Sequence, residues 1–220
     1  MFVIIQNNFV IHGPRDWNKR QFEEVLKDEC EVDFTLETRN NDNLPITVSD
    51  TVKILPVTNL PEPTFNGRIQ RLDGPFWNFT DTTAEMSFVA ADLPIEAVKN
   101  FFTSIVANAR YAKEVAGIKQ TVQGTEVSVD TARGSRDIFF QAFLSIGDTE
   151  TINWKFPETW LELTKSDLGG IVSAGRTHIQ TCFNWENTWV GRVGSATTLA
   201  QLNTLYDELE TELKPQTQVL

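Results

Sequence analysis

The sequence has few cysteines and few histidines. Cys30 and Cys182 are its only thiols, and His12 and His178 are its only imidazoles, in a chain of 220 residues. A disulfide framework or a zinc finger needs more ligands at closer spacing. We therefore expect two buried thiols, no structural metal and no bound cofactor.

Positive charge is also scarce. The chain has 19 Lys and Arg residues against 30 Asp and Glu residues, which gives a net charge of −11 and an isoelectric point of about 4.7. Nucleic acids and anionic membranes bind clustered basic side chains, so this composition argues against both as partners. The acidic excess indicates a well-solvated surface.

Long apolar runs are missing as well. No stretch approaches the ~20 apolar residues that span a bilayer as a helix. The first residues lack the basic segment of a signal peptide, and we expect a strand there instead. The sequence thus predicts neither membrane insertion nor secretion by the general route.

Aromatic residues, by contrast, are plentiful. The chain has 15 Phe and 6 Trp, and such rings need a packed core around them. The periodicity of the apolar residues predicts an α+β fold in two domains. Residues 1–90 should form a mainly β attachment module with one helix and a proline-rich extended segment. Residues 91–220 should form a mostly helical domain with two short β-hairpins.

The N-terminal domain is expected to begin with a hairpin whose second strand ends at Gly13-Pro14. A helix over Trp17–Glu29, capped by Asp16, and a strand over Glu31–Glu37 should follow. After a turn at Thr38–Asn43, the segment from Leu44 to Pro63 carries four prolines, which favour an edge strand or a strap. The remaining predicted strands are Asn66–Arg71, paired with Trp77–Phe79, and Ala84–Val89.

The C-terminal domain is expected to alternate helices and hairpins. Its first helix should be capped by Asp92 and end near Gly117, before a hairpin that turns at Gln123-Gly124. A helix over Ser135–Ile146 and a second hairpin should follow. A long helix then starts at Thr164. The other predicted features of this region are core positions for Ile138 and Phe139, an end of the long helix at Gly191 and Gly194, capping boxes at Thr164–Asp167 and Thr198–Gln201, and a last helix up to Pro215.

Several short motifs follow one another in the C-terminal domain. They are Arg110-Tyr111-Ala112, Gly124–Asp130, Arg133–Arg136, Asn153–Phe156 and Thr164–Leu168, followed by His178, Phe183 and Trp185. This region, most clearly Pro94–Leu205, resembles a domain of unknown function common in bacteriophage tail-fibre and tail-associated proteins. The resemblance implies a structural module of a tail, and it supplies no catalytic residues.

Three groups of residues are candidates for a site. His178 and Cys182 are four residues apart on a predicted helix, which would suit a metal, but further ligands are lacking and a buried thiol beside a partly exposed imidazole is favoured. Asp130, Arg133, Arg136 and Asp137 could bind a ligand, although Arg–carboxylate pairs also pin a loop to a helix.

Trp160 is the third candidate. It alternates with Leu161 and Leu163, so its ring should lie on the exposed face of its strand. We expect Trp160 to contact another subunit, with a sugar as the alternative ligand.

These observations predict a non-enzymatic virion protein of a phage tail fibre or baseplate, assembled in the bacterial cytoplasm and active in host attachment. Its partners would be other tail or baseplate proteins and further copies of itself, with a trimer as one arrangement. The alternatives are a tail-fibre assembly chaperone that leaves the particle and a module that binds the host surface. An enzyme is least favoured, because no carboxylate pair stands out and no repeat typical of tail depolymerases is visible.

Overall fold

The computed structural model describes residues 1–36 and 45–214. The chain divides into two compact units, Met1–Leu93 and Pro94–Leu220. The first is mostly sheet and the second is mostly helical with short strand pairs, so the predicted α+β class is confirmed. The predicted turn at Thr38–Asn43, the neighbouring Glu37 and Leu44, and Pro215 lie outside the described residues.

In its described residues, the N-terminal unit is built on a six-stranded sheet with one helix. Its strands follow the order β2-β1-β4-β6-β5, with β3 paired to β4. All neighbours are antiparallel except β4 and β6, which are parallel. The elements are β1 (Phe2–Gln6), β2 (Phe9–Arg15), α1 (Lys19–Asp28), β3 (Ile46–Thr47), β4 (Val52–Asn59), β5 (Gln70–Phe79) and β6 (Ala84–Asp92).

Alternation along β1 divides the core of this unit between the two faces of the sheet. Ile4 packs in one cluster with Ile54 and with Phe22 and Leu26 of α1. Val3 and Ile5 belong to a second cluster, against which Trp77 and Phe79 pack. Because successive side chains of a strand point to opposite faces, one short apolar strand serves both clusters.

The proline-rich segment contributes the short strand β3, which pairs with β4 alone among the described strands, and also β4 itself, which is the middle strand of the sheet and not the edge strand that its prolines suggested. The amide of Val57 donates to the carbonyl of Met1 at 3.0 Å, so the backbone nitrogen of the neighbouring Pro56 points away from β1. On that side the pairing with β3 ends at Ile54, and the pairing with β6 begins at Val57. Pro56 therefore lies where no ladder requires its missing N–H.

Two predicted breaks near glycine and proline are wrong, because each strand continues through them. β2 runs past Gly13-Pro14 to Arg15, and β5 is one strand that joins the end of the predicted strand Asn66–Arg71 to the predicted strand Trp77–Phe79, whereas residues 66–69 form no strand. The register between β5 and β6 shifts between Asp73 and Phe76, which accommodates the Gly74-Pro75 pair as a bulge. At Gly74 a Cβ would lie 2.8 Å from a ring carbon of Phe88.

Two further predictions in this unit need correction. Helix α1 is capped by Asn18, whose side chain accepts from the amide of Gln21, and not by Asp16. Residues 31–36 form no strand, although Leu36 is buried. The amide of Leu36 donates to Glu23 Oε1 at 2.7 Å, so a side chain replaces the strand partner that the alternating pattern predicted.

The C-terminal unit packs two helices against a long third helix and places a fourth over two hairpins. Its core around the hairpins joins Phe139, Phe156, Leu163 and Leu168. The elements are α2 (Ile95–Glu114), β7 (Ile118–Val122), β8 (Thr125–Val129), α3 (Arg133–Ser145), β9 (Thr151–Lys155), β10 (Trp160–Thr164), α4 (Lys165–Ser195) and α5 (Leu199–Leu213).

Helices α2, α4 and α5 meet through aromatic rings. The ring centroid of Phe102 lies 6.3 Å from that of Trp189 and 5.4 Å from that of Tyr206. Both predicted capping boxes are confirmed, at Thr164 with Asp167 and at Thr198 with Gln201.

Two helix boundaries of this unit differ from the prediction. Asp92 does not cap α2, which starts after Pro94, because its carboxylate accepts from Gln70 Nε2 at 2.9 Å. Helix α4 continues through Gly191, because the buried Val193 keeps the following turn packed, and it ends at Ser195, one residue beyond the predicted Gly194. No helix in the described part of the chain is long and apolar enough to cross a membrane.

Candidate functional site

Glu114, the last residue of α2, is the centre of a buried charge cluster. Its side chain is 2% exposed and lies within ion-pair distance of three guanidinium groups. Arg110 contacts one carboxylate oxygen, while Arg136 Nη2 lies 2.8 Å from the other and Arg133 Nε lies 3.7 Å from it. Arg110 also donates to Glu186 Oε2 of α4 at 3.0 Å. The cluster therefore ties α2 to α3 and α4.

Thr131 also joins the end of α2 to the start of α3, through hydrogen bonds of its hydroxyl to backbone groups. Its hydroxyl donates to the carbonyl of Glu114 at 2.6 Å and accepts from the amide of Gly117 at 2.9 Å. Thr131 is completely buried, so these bonds satisfy a hydroxyl that has no access to water. The end of α2 is thus fixed to the start of α3 by both charge and hydrogen bonds.

The structure separates the four residues that the sequence grouped before α3. Arg133 and Arg136 turn to Glu114, whereas Asp130 accepts from the amide of Ala132 at 2.8 Å and from Ser135 Oγ at 2.6 Å. The Ser135 hydroxyl, and then the Ala132 amide, lower the pKa of Asp130. Asp137 is exposed. This arrangement matches the expected loop pins, with Glu114 as the partner that the sequence analysis missed.

His178 and Cys182 do come close together on α4, but their contacts are those of a packed helix face. Cys182 Sγ lies 3.8 Å from His178 Nε2, and the same nitrogen lies 3.0 Å from the carbonyl oxygen of Lys113. Burial raises the pKa of the Cys182 thiol, which disfavours the thiolate that a metal would bind. Within residues 1–36 and 45–214, no group of three or more His, Cys, Asp or Glu side chains is placed to hold a metal ion.

Trp160 lies on the solvent face of the second hairpin. It is 63% exposed, and Lys155 Nζ lies 5.9 Å from its ring centroid. Its neighbour Leu161 packs towards the core, and Leu163 is fully buried. The ring therefore has the accessible position that a contact residue requires, and its role in a contact stays a prediction.

A groove between α3 and α4 was not foreseen from the sequence. Its volume is about 310 Å³, and its lining includes Phe139, Ile171, Val172 and Ile179. Gly175 is a buried residue of α4 in this lining, and a Cβ added to it would meet nothing within 4 Å. A buried glycine that faces open space makes room here for an apolar side chain.

The outer surface of α3 is also unusually apolar. Ile138, Phe140 and Leu144 are 61%, 46% and 58% exposed. The predicted core position of Ile138 is therefore wrong, whereas Phe139 is buried as predicted. Apolar residues occur on every side of α3, and only one side faces the core, which leaves the others in solvent.

The comparison with known families identifies this part of the chain. Residues 98–211 match the family described as a domain of unknown function, DUF4376. Because the match spans more than half of the chain, the protein belongs to this family. The matched region begins within α2 and ends within α5, so it contains the Glu114 cluster, both hairpins and the groove. No curated protein and no solved structure matches the chain.

Proposed function

We propose that this protein is a non-enzymatic structural component of a bacteriophage tail, in the fibre or the baseplate, where it joins tail components for host attachment. It assembles in the bacterial cytoplasm and binds other tail proteins and further copies of itself. The first support is the likeness of the motifs Gly124–Asp130, Asn153–Phe156 and Thr164–Leu168 to those of tail-associated proteins.

The observation that carries the proposal is a set of exposed apolar side chains in the C-terminal unit. Trp160, Ile138 and Leu144 are each more than half exposed. Exposed apolar side chains on an ordered protein are available for protein–protein contact, since water solvates them poorly. A scaffold that is covered by neighbours in an assembled tail would have such a surface.

The polar groups of the unit also favour a scaffold. The carboxylate of Glu114 is enclosed by Arg110 and Arg136, and that of Asp130 is bound to Ala132 and Ser135. A catalytic acid or base needs reach to a substrate, and these groups are instead engaged in joining elements. Their geometry supports a role in rigidity.

Quantitative mass spectrometry of purified particles tests this proposal. Virions of the phage that encodes the chain should contain it in a fixed ratio to the known tail proteins, before and after a high-salt wash. Absence from washed virions would refute the structural role. Presence in the lysate together with that absence would favour the assembly chaperone, which binds fibres and leaves.

A further inference from the structure

We infer that α3 forms a contact between two copies of this chain, in which the outer faces of two α3 helices pack antiparallel. This inference rests on the proposed assembly role and assigns a surface to it. The knobs of the contact are Phe140 and Leu144, which lie four residues apart and so share one side of the helix.

The same surface carries both knobs and holes. The groove over Gly175 runs beside α3, and Phe140 is part of its wall. A two-fold contact needs one patch that complements itself, because each copy presents the same residues to the other. An apolar side chain that stands next to an open groove of about 310 Å³, lined by apolar residues together with polar ones such as Asp137 and Arg176, meets this requirement.

The charges at the two ends of α3 favour the antiparallel direction. Arg133 opens the helix and is 68% exposed, while Asp148 follows its end and is also exposed. The last turn of α3 has no basic side chain and the first turn has no acidic one, so the helix lacks the charges that its dipole favours at each end. When two copies cross antiparallel about Phe140 and Leu144, Arg133 of each copy comes close to Asp148 of the other.

Both charges already have partners within their own chain, and the guanidinium of Arg133 also lies 5.8 Å from the ring centroid of Tyr111. Arg133 is 3.7 Å from Glu114, and Asp148 accepts from Lys165 Nζ at 2.8 Å. Both partners leave the charged groups largely exposed, so a second contact needs no rearrangement of the buried cluster. The apolar side chains supply the affinity, and the charges select the direction.

Light scattering after size exclusion, on the full chain at about 100 µM, tests the inference. The wild type should have the mass of a dimer. The double variant Phe140→Gln/Leu144→Gln should raise the dissociation constant about a hundredfold, because both knobs are lost from each copy. Ile138→Gln, on another side of the same helix, should leave the dimer unchanged.

A charge exchange tests the direction of packing. Arg133→Glu and Asp148→Arg should each weaken the dimer, and an equimolar mixture of the two variants should restore it. A monomeric wild type, a trimer, or a dimer that resists Phe140→Gln/Leu144→Gln would overturn the inference. These results are separate from the virion experiment, because self-association in solution does not depend on particles. If Arg133→Glu fails to fold, the weakening of the dimer by Asp148→Arg and by Phe140→Gln/Leu144→Gln still tests the inference.

Discussion

Substitution of Glu114 by glutamine should destabilise the C-terminal unit more than any other single loss of charge in its helices. The substitution keeps the shape of the side chain and removes its charge. It also places an NH₂ group, which is a hydrogen-bond donor, next to guanidinium groups, which cannot accept a hydrogen bond. Arg136 and the exposed Arg133 would then lose the carboxylate of Glu114, while Arg110 would keep Glu186 as its counter-charge.

The magnitude follows from the burial of each partner. Breaking a buried ion pair costs about 3–5 kcal/mol, because the remaining charge stays desolvated. The side chains of Arg110 and Arg136 retain 14% and 28% exposure, so the lower end of that range, about 3 kcal/mol, applies. Arg133 is mostly exposed, and its pairing adds less than about 1 kcal/mol.

Urea unfolding followed by circular dichroism measures this cost. Helical signal reports mainly the C-terminal unit, which holds four of the five helices in the described residues. With a slope of about 1–3 kcal/mol per molar urea, a loss of 3 kcal/mol lowers the midpoint by roughly 1–3 M. Glu126→Gln, an exposed carboxylate of β8, is the matched control. Equal midpoints for the two variants would refute the idea that Glu114 holds the unit together.

Three further predictions concern the second hairpin and the helix that follows it. Thr164→Ala removes the capping box of α4 and should cost about 1 kcal/mol in urea unfolding. Hydrogen bonds from the Ser128 hydroxyl and amide and from Lys119 lower the pKa of Glu158 to about 2, and a carboxyl-carbon NMR titration should have that midpoint. Because this pKa is below the ordinary value of 4.5, ionised Glu158 stabilises the fold above pH 4.5, and the stabilisation is lost as the pH falls towards 2. Trp160→Ala should leave the thermal midpoint unchanged, since the ring is exposed, and should lower the amount of this protein in virions.

Each of these predictions has a control in the same region. Ser166→Ala, in the first turn of α4, should cost much less than Thr164→Ala, and equal costs would contradict the capping argument. Ser128→Ala should raise the pKa of Glu158, and an unchanged titration would remove the hydroxyl as the main cause. Trp160→Phe keeps an aromatic ring and should restore part of the incorporation. Normal incorporation of Trp160→Ala would exclude this side chain from the contact.

The features that could be predicted from the sequence are local ones. The capping boxes at Thr164 and Thr198 and the turn at Gln123-Gly124 depend on residues within a few positions of each other. Gln123 and Gly124 both have positive φ, and glycine adopts that conformation without steric cost. Such signals survive in any tertiary setting, so the starts of α4 and α5 and the two hairpins of the C-terminal unit were found.

Features that depend on distant partners could not be predicted. The alternation at residues 31–36 is typical of a strand, yet Leu36 bonds to the side chain of Glu23, thirteen residues earlier. The prolines in and near β4 led us to expect an edge strand. The gap between its pairing with β3 and its pairing with β6, where Pro56 lies, is a property of the sheet and could not be predicted from the segment itself. Local periodicity says which residues are buried, and the partner decides what structure buries them.

The same reasoning explains why both Glu114 and the outer face of α3 were missed. An acidic residue near the end of an amphipathic helix is usually solvated, and the approach of Arg136 from α3, together with Arg110 of α2 itself, makes its burial favourable. On α3 the situation is reversed, because Ile138 follows the apolar pattern of a core residue and is exposed. A helix that is apolar on more than one side satisfies its sequence pattern only when more than one surface covers it. The chain itself covers one side of α3, and a second copy packed over Phe140 and Leu144 would cover the side next to the groove.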